Sequence, residues 1–228
     1  MDLRAILASI KNSSYSEDGM TTCHVAEFLG DPRFISAYRC GEATGSWHGM
    51  KLRWRVYTCC WAAQHALSLQ GDFVECGVNR GGISRAVIEY IYFGSLARRF
   101  FLLDTFCGDP DVAAVNKSDY VECYDDVQPT FSPFKNVFLI KGRIPDTLRR
   151  VNAEQVGYLS IDLNNAQPEI AALRYFWPKL VPGAVVVLDD YAYSREYAVQ
   201  KKAIDDLGRE LGFWVLTLPT GQGLIIKS

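Results

Sequence analysis

Cysteine pairs at metal-binding or redox spacing are missing from this chain. Its seven cysteines include no C-x-x-C, and their number is odd. That disfavours a zinc site and a disulfide framework, and reads as reduced thiols in a cytoplasmic protein. An excess of one charge is missing too. The formal net charge is −2 at pH 7, which gives no support for binding nucleic acid or a membrane surface. The most basic short stretch, Lys51, Arg53 and Arg55, is interrupted by apolar residues and reads as the start of an amphipathic helix. No apolar run reaches the roughly 20 residues needed to cross a bilayer. The first residues lack the basic region and long apolar core of a signal peptide. No repeat is visible, and a G-x-G-x-x-G dinucleotide loop is absent. What is there is ordinary globular composition in 228 residues, enough for one α/β domain with a substantial core.

The order of elements points to an α/β sheet. A helix is expected over 53–69, stopping at Gly71. Strands are expected at 72–76, 99–104, 136–141, 156–162 and 183–189, and helices at 83–93, 145–152, 168–180 and 194–211. Continuous apolar runs such as 185–188 indicate parallel strands buried on both faces. Segments 213–218 and 223–227 are joined too tightly for a helical crossover, so they form a C-terminal antiparallel hairpin. Parallel βα units closed by such a hairpin match the seven-stranded, Rossmann-like sheet of class I methyltransferases. Residues 1–50 read as irregular, with helical fragments at 3–10 and 25–29. Segment 1–52 is therefore taken as an N-terminal helical lid or substrate segment, and 53–228 as the methyltransferase domain. Residues 105–135, rich in Asp, Pro, Ser and Tyr, form a long insertion at a strand's C-terminal end and read as a substrate loop.

Residues 71–94 carry the clearest chemical pattern. A strand holding Glu75 runs into Gly77, then into Gly81 and Gly82, then into a helical pattern of Ile83, Ala86, Val87, Tyr90 and Ile91. Such glycines let backbone approach a ligand, and the helix N-terminus offers free N–H groups. The spacing E-C-G-x-x-x-G-G suits an S-adenosylmethionine (SAM) pocket; the alternative is an ordinary strand–helix turn. Glu75 reads either as a holder of the amino-acid end of SAM or as an ion-pair partner of Arg80 or Arg85. Asp104, with Thr105 beside it, ends the next strand. It reads either as acceptor of two ribose hydroxyls or as a turn cap using Thr105. Asp162 and the pair Asp189 and Asp190 end two strands expected to be neighbours, about 5 Å apart. Carboxylates that converge in this way suit Mg²⁺, which prefers hard oxygen ligands and would acidify a substrate hydroxyl. The alternative is a solvated acidic turn with Asp162 as a helix cap.

Five segments in order, Phe73–Val78 with Gly81 and Gly82, Leu103–Phe106, Ser160–Asp162, Pro182–Tyr191 and Leu218–Gly223, resemble the macrocin O-methyltransferase family. The resemblance covers about residues 53–227. It implies SAM as methyl donor, a divalent metal, usually magnesium, and a small hydroxylated acceptor, in that family a sugar. Asp162, Asp189 and Asp190 would be the metal ligands, with Asp162 also bordering the cofactor. Gly142, Arg143 and Ile144 would lie against the adenine. One position departs: the family acid two residues after Asp162 is Asn164 here. The base is then Asp162 itself, or solvent, and Asn164 borders the acceptor.

Among the remaining residues, His48 reads as a base reaching from a lid or as a loop histidine with no catalytic role. His65 reads as structural, and the cluster of Trp47, Trp54, Tyr57 and Trp61 as core or lid packing. Tyr191 and Tyr193 are expected to line the acceptor pocket. Tyr197 and Lys201 have the Y-x-x-x-K spacing of a short-chain dehydrogenase, which the missing glycine loop and the terminal hairpin oppose. A phenolic hydroxyl in place of a sugar, or a SAM-binding module without catalysis, would also fit the pattern. A homodimer through the apolar N-terminal segment is compatible with the sequence.

Overall fold

Apolar runs become strands where both faces are buried against helices, as in Asp72–Cys76, Phe100–Asp104 and Val156–Ile161, while the edge strand of the parallel set, Val137–Lys141, buries little but Ile140. The computed structural model describes residues 12–107 and 121–228. Its main sheet contains β3 (Asp72–Cys76), β4 (Phe100–Asp104), β5 (Val137–Lys141), β6 (Val156–Ile161), β7 (Leu180–Leu188), β8 (Leu216–Thr217) and β9 (Gly223–Ile226). The strand order is β5-β4-β3-β6-β7-β9-β8. The first five run parallel, and β9 is antiparallel to both β7 and β8, as the tight connection requires. The chain leaves β3 toward β4 on one side and returns to β6 on the other. The C-terminal ends of β3 and β6 therefore flank the switch point where open α/β sheets hold ligands.

Helices α2 (Arg53–Ala66), α3 (Gly82–Tyr90), α5 (Ala166–Phe176) and α6 (Ala198–Leu211) fall where periodicity puts them, with ends moved by a few residues. Two further helices, α1 (Pro32–Glu42) and α4 (Tyr124–Phe131), are not expected from the sequence pattern. α1 lies in a segment that reads as irregular, although its signals are present. Asp31 caps it by accepting from the Arg33 N–H at 2.9 Å, Pro32 opens it, and Phe34, Ala37, Tyr38 and Gly41 bury one stripe. α4 is hidden by Pro129 and its paired aspartates, yet it buries Val127 and Phe131. The expected helix at 145–152 is only a 3-10 turn, Leu148–Arg150, because little there but Leu148 and Val151 is apolar and buried. The fragment at 25–29 is likewise a 3-10 turn, Glu27–Gly30. The helix expected at 3–10 and the middle of the 105–135 insertion lie outside the described residues.

The N-terminal segment also carries a hairpin, β1 (Tyr15–Glu17) and β2 (Met20–Thr22), so it is not purely helical. Asp18 and Gly19 form its tip, with φ of 49° and 73°, the conformation a two-residue hairpin turn demands. Phe28, Phe34, Tyr38 and Trp47 of this segment join Val56, Ala63, Phe73 and Ala86 in one core on one face of the sheet. The other face packs β-strand residues such as Val74, Leu103 and Val186 against Leu173, Phe176 and Ile204.

Candidate active site

The glycine loop is shaped first by the protein's own packing. Gly77 has φ 91°, and a Cβ there would overlap the backbone carbonyl of Asp162. The strand ends are that close because the Gly77 N–H donates to the Leu103 carbonyl and the Asp162 N–H to the Cys76 carbonyl, each at 2.8 Å. Gly81, at φ 86°, would meet the Phe131 ring if it had a side chain, and Gly82 would meet Trp47 and Ser46. α3 starts on Gly81 with no side-chain cap, which leaves its first-turn N–H groups without an intrahelical or side-chain acceptor among the described residues.

Glu75 is 2% exposed beneath this loop, and among the described residues its Oε2 has no hydrogen-bond partner. Neither Arg80 nor Arg85 pairs with it: Arg80 reaches Asp126 at 3.1 Å, and Arg85 reaches Glu89 at 3.1 Å. Burial pushes the Glu75 carboxyl up to about 8; Ser84 beside it pulls the other way, and Asp189 and Asp104 add to the rise. A buried acid at a strand end, under a glycine loop, with an oxygen that meets no donor among the described residues, has an acceptor to spare.

Asp104 spends both oxygens on the loops around it. Oδ2 accepts from the N–H groups of Val78 at 2.5 Å and Asn79 at 2.7 Å. Oδ1 accepts from the Phe106 N–H at 2.7 Å and the Thr105 hydroxyl at 3.2 Å. The turn-cap reading thus has direct geometry, and Asp104 ties β4 to the glycine loop. Gly142 joins the same edge, its N–H donating to the Asp104 carbonyl at 2.8 Å, and the Arg143 carbonyl accepts from Thr147. Ile144 packs partly buried against the core.

The two acids ending β7 do meet a cation, and it is an arginine. Arg55, on the first turn of α2, is 5% exposed. Its Nη1 donates to Asp189 Oδ2 and, at 3.2 Å, to Asp190 Oδ1. Its Nε donates to Asp18 Oδ2 at 3.1 Å, and the Tyr193 ring stacks 4.5 Å from its Cζ. The Tyr193 hydroxyl closes the circle on Asp18 Oδ1 at 3.2 Å. Asp189 Oδ1 accepts from Gln222 Nε2 at 2.9 Å. Burial acts against the Arg55 charge, but Asp189, Asp190 and Asp18 outweigh it and hold the guanidinium's pKa well above its usual value. Asp162 is raised well above the carboxylate range by desolvation, then by Asp189 and Asp190. Among the described residues no group of three or more His, Cys, Asp or Glu side chains is arranged to hold a metal ion. The expected trio of metal ligands therefore lies at one edge with its oxygens turned to Arg55, Gln222 and Asn164.

Asn164 sits at φ 52°, which its short polar side chain tolerates. Its Nδ2 donates to Asp162 Oδ1 at 3.3 Å, and its Oδ1 accepts from the Tyr197 hydroxyl at 3.1 Å. Tyr197, which in the sequence is half of a chance motif, thus reaches the site. Lys201 does not pair with it: its Nζ contacts the Tyr191 hydroxyl at 2.9 Å and Asp205 at 2.7 Å. Tyr191 also donates to Asp205, so its hydroxyl faces α6 and not the acids, against the expectation of a pocket-lining residue. Tyr193 does reach the cluster. His48 is exposed on the turn after α1, and its side chain forms no hydrogen bond or ion pair among the described residues. His65 contacts the Gly183 carbonyl at 3.1 Å, the structural role expected of it. Asp18, Arg55 and Gln222 escape sequence reasoning because they lie far along the chain from the acids they touch.

A family model described as macrocin-O-methyltransferase (TylF) matches residues 49–208. The protein named 8-demethyl-8-(2,3-dimethoxy-alpha-L-rhamnosyl)-tetracenomycin-C 4'-O-methyltransferase, from Streptomyces olivaceus, is 30% identical over 141 residues, covering 54% of this chain and 53% of that protein. Mycinamicin III 3''-O-methyltransferase from Micromonospora griseorubida is 26% identical over 194 residues, covering 74% of this chain and 75% of that one. The match thus spans about half the first relative and three quarters of the second. The crystal structure of CalS11, a calicheamicin methyltransferase, superposes with a TM-score of 0.63 at 16% identity, over 99% of this chain and 96% of that one.

Proposed function

The chain belongs to the macrocin O-methyltransferase family, and from that premise we propose that it moves the methyl group of SAM to a hydroxyl of a sugar on a glycosylated natural product. Both curated relatives are named as O-methyltransferases acting at primed positions, one of them on a rhamnosyl compound. The observation that carries the reading for this chain is the orphaned, buried Glu75 Oε2 under the glycine loop, at the switch point of a class I sheet. Those residues fit SAM. Glu75 would hold its ammonium, and the uncapped first turn of α3 would face its carboxylate. Asp104 would share its oxygens with the ribose, and Gly142–Ile144 would border the base. SAM, when bound, supplies an electrophilic methyl on a sulfonium.

The acceptor hydroxyl would enter where Asp162, Asn164, Tyr193 and Tyr197 meet. Asp162 would take its proton, and Asn164, whose amide has no useful basicity, would orient Asp162. Most of the rate would come from holding hydroxyl and methyl in line. The magnesium that the resemblance implies does not fit these residues as they stand, because both Asp189 oxygens and Asp190 Oδ1 already accept from Arg55 or Gln222, and Asp162 Oδ1 accepts from Asn164. No step here runs through a metal. The dehydrogenase reading loses its catalytic pair, since Tyr197 and Lys201 bond to different partners.

The test is calorimetry followed by an acceptor screen. S-adenosylhomocysteine is expected to bind and NADPH not to. Labelled SAM is then expected to mark glycosylated acceptors in preference to phenolic ones. Binding of NADPH alone, or of neither, would remove the proposal. A second result is expected at the loop: Asp104→Ala weakens S-adenosylhomocysteine binding by about 1–3 kcal/mol, through lost charged hydrogen bonds to the loop. An unchanged dissociation constant would show that neither the ribose nor the loop geometry depends on Asp104.

A further inference from the structure

We infer that the Arg55 guanidinium is the resident cation of the acid cluster, and that this chain's methyl transfer needs no divalent metal. The second half rests on the proposed function; the first does not. Mg²⁺ requires six oxygen ligands in near-ideal octahedral geometry. Asp189 offers neither oxygen free of a donor, since Oδ2 takes Arg55 Nη1 and Oδ1 takes Gln222 Nε2 at 2.9 Å. Asp190 Oδ1 shares the same Nη1, and Asp162 Oδ1 takes the Asn164 amide.

Arg55 is not a passing surface chain. It is buried, its Nε is anchored to Asp18, and its planar group lies against the Tyr193 ring. The hairpin tip that supplies Asp18 also receives the Tyr193 hydroxyl, so two separate chain segments, the hairpin tip and residues 189–193, converge on one guanidinium. A guanidinium does not lose its charge inside a protein, unlike an ammonium, so it neutralises acids permanently. A dication placed among the same oxygens would lie within a few ångströms of that fixed charge. At about 4 Å and an effective dielectric of about 20, the repulsion weakens ion binding roughly a thousandfold or more. Asn164 is consistent with the same design: the position contributes an amide donor to Asp162 in place of another acid that would call for a metal.

Mn²⁺, titrated into the EDTA-stripped and desalted full chain and followed by electron paramagnetic resonance, tests this directly. The wild-type chain is expected to hold no stoichiometric Mn²⁺ at millimolar concentration. Arg55→Gln is expected to gain one site, with affinity higher by about a thousandfold or more, since a dication feels the removed charge twice over. Arg55→Lys, which keeps the charge, is expected to stay as blind as wild type. Adding Asp189→Asn to Arg55→Gln should remove the gained site. A wild-type chain that binds one Mn²⁺, lost on Asp189→Asn, would overturn the inference; so would an Arg55→Gln chain that folds and binds no ion. Should Arg55→Gln fail to fold, the wild-type titration decides by itself. S-adenosylhomocysteine binding, measured in parallel with excess EDTA, keeps the two proposals apart. Its absence would sink the proposed function and leave the Mn²⁺ result standing. Once an acceptor is found, transfer that EDTA abolishes and Mg²⁺ restores would overturn the metal-free half.

Discussion

Gly77→Ala is expected to lower the unfolding free energy by about 4 kcal/mol, at the severe end of single substitutions. Two costs add. A side chain at φ 91° is strained in any setting. The added methyl would also overlap the Asp162 carbonyl, which is backbone and cannot swing aside. Relief would require β3 and β6 to part at their C-terminal ends, where the Asp162 N–H holds the Cys76 carbonyl at 2.8 Å. Urea unfolding followed by circular dichroism gives the number. A loss below about 1 kcal/mol would mean that the two strand ends are not packed as described. The same substitution should abolish S-adenosylhomocysteine binding, because the loop and Asp162 move together.

Glu75→Gln should make the fold more stable and the ligand weaker. The sign follows from linkage. The folded carboxyl stays protonated up to about 8, whereas the unfolded one ionises from its ordinary 4.5. Stability is therefore full below the unfolded value and is lost as pH rises toward 8. A glutamine never ionises and escapes this loss, worth about 3 kcal/mol at pH 7. The ligand responds in the opposite way. A bound ammonium needs Glu75 ionised, so wild-type affinity for S-adenosylhomocysteine should rise from pH 6 to 8, by up to about tenfold per pH unit. In Glu75→Gln the profile should be flat, with binding weaker at pH 8 by about 1.5–3 kcal/mol. Equal stability of the two chains at pH 7 would show that the carboxyl is not desolvated. A flat wild-type profile would separate Glu75 from the ligand.

Much of this edge is legible without coordinates. The strands at 72–76, 99–104 and 156–162 are readable because a strand buried on both faces writes its own apolar run, and 136–141 is readable from its apolar residues although it lies at the sheet edge. The acids after them are readable because a parallel sheet aligns all its C-terminal ends. Some of what escapes is local and recoverable. Asp31-Pro32 with Phe34, Ala37, Tyr38 and Gly41 is a complete helix signal, and Asp18-Gly19 is a hairpin signal. Pro129, by contrast, masks a real helix, because burial of Val127 and Phe131 outweighs the propensity cost.

The amino-acid order alone settled the sheet, its terminal hairpin, the family and the set of acids, since each depends on residues adjacent in the chain or on their period. Which cation those acids hold was decided only in three dimensions. Arg55 stands 134 positions before Asp189, and nothing local to either residue brings them together. Packing of α2 against the sheet and the turn at Asp18 do so. Electrostatics acts through space and is indifferent to chain order, so pattern and spacing could not show which partner it would choose.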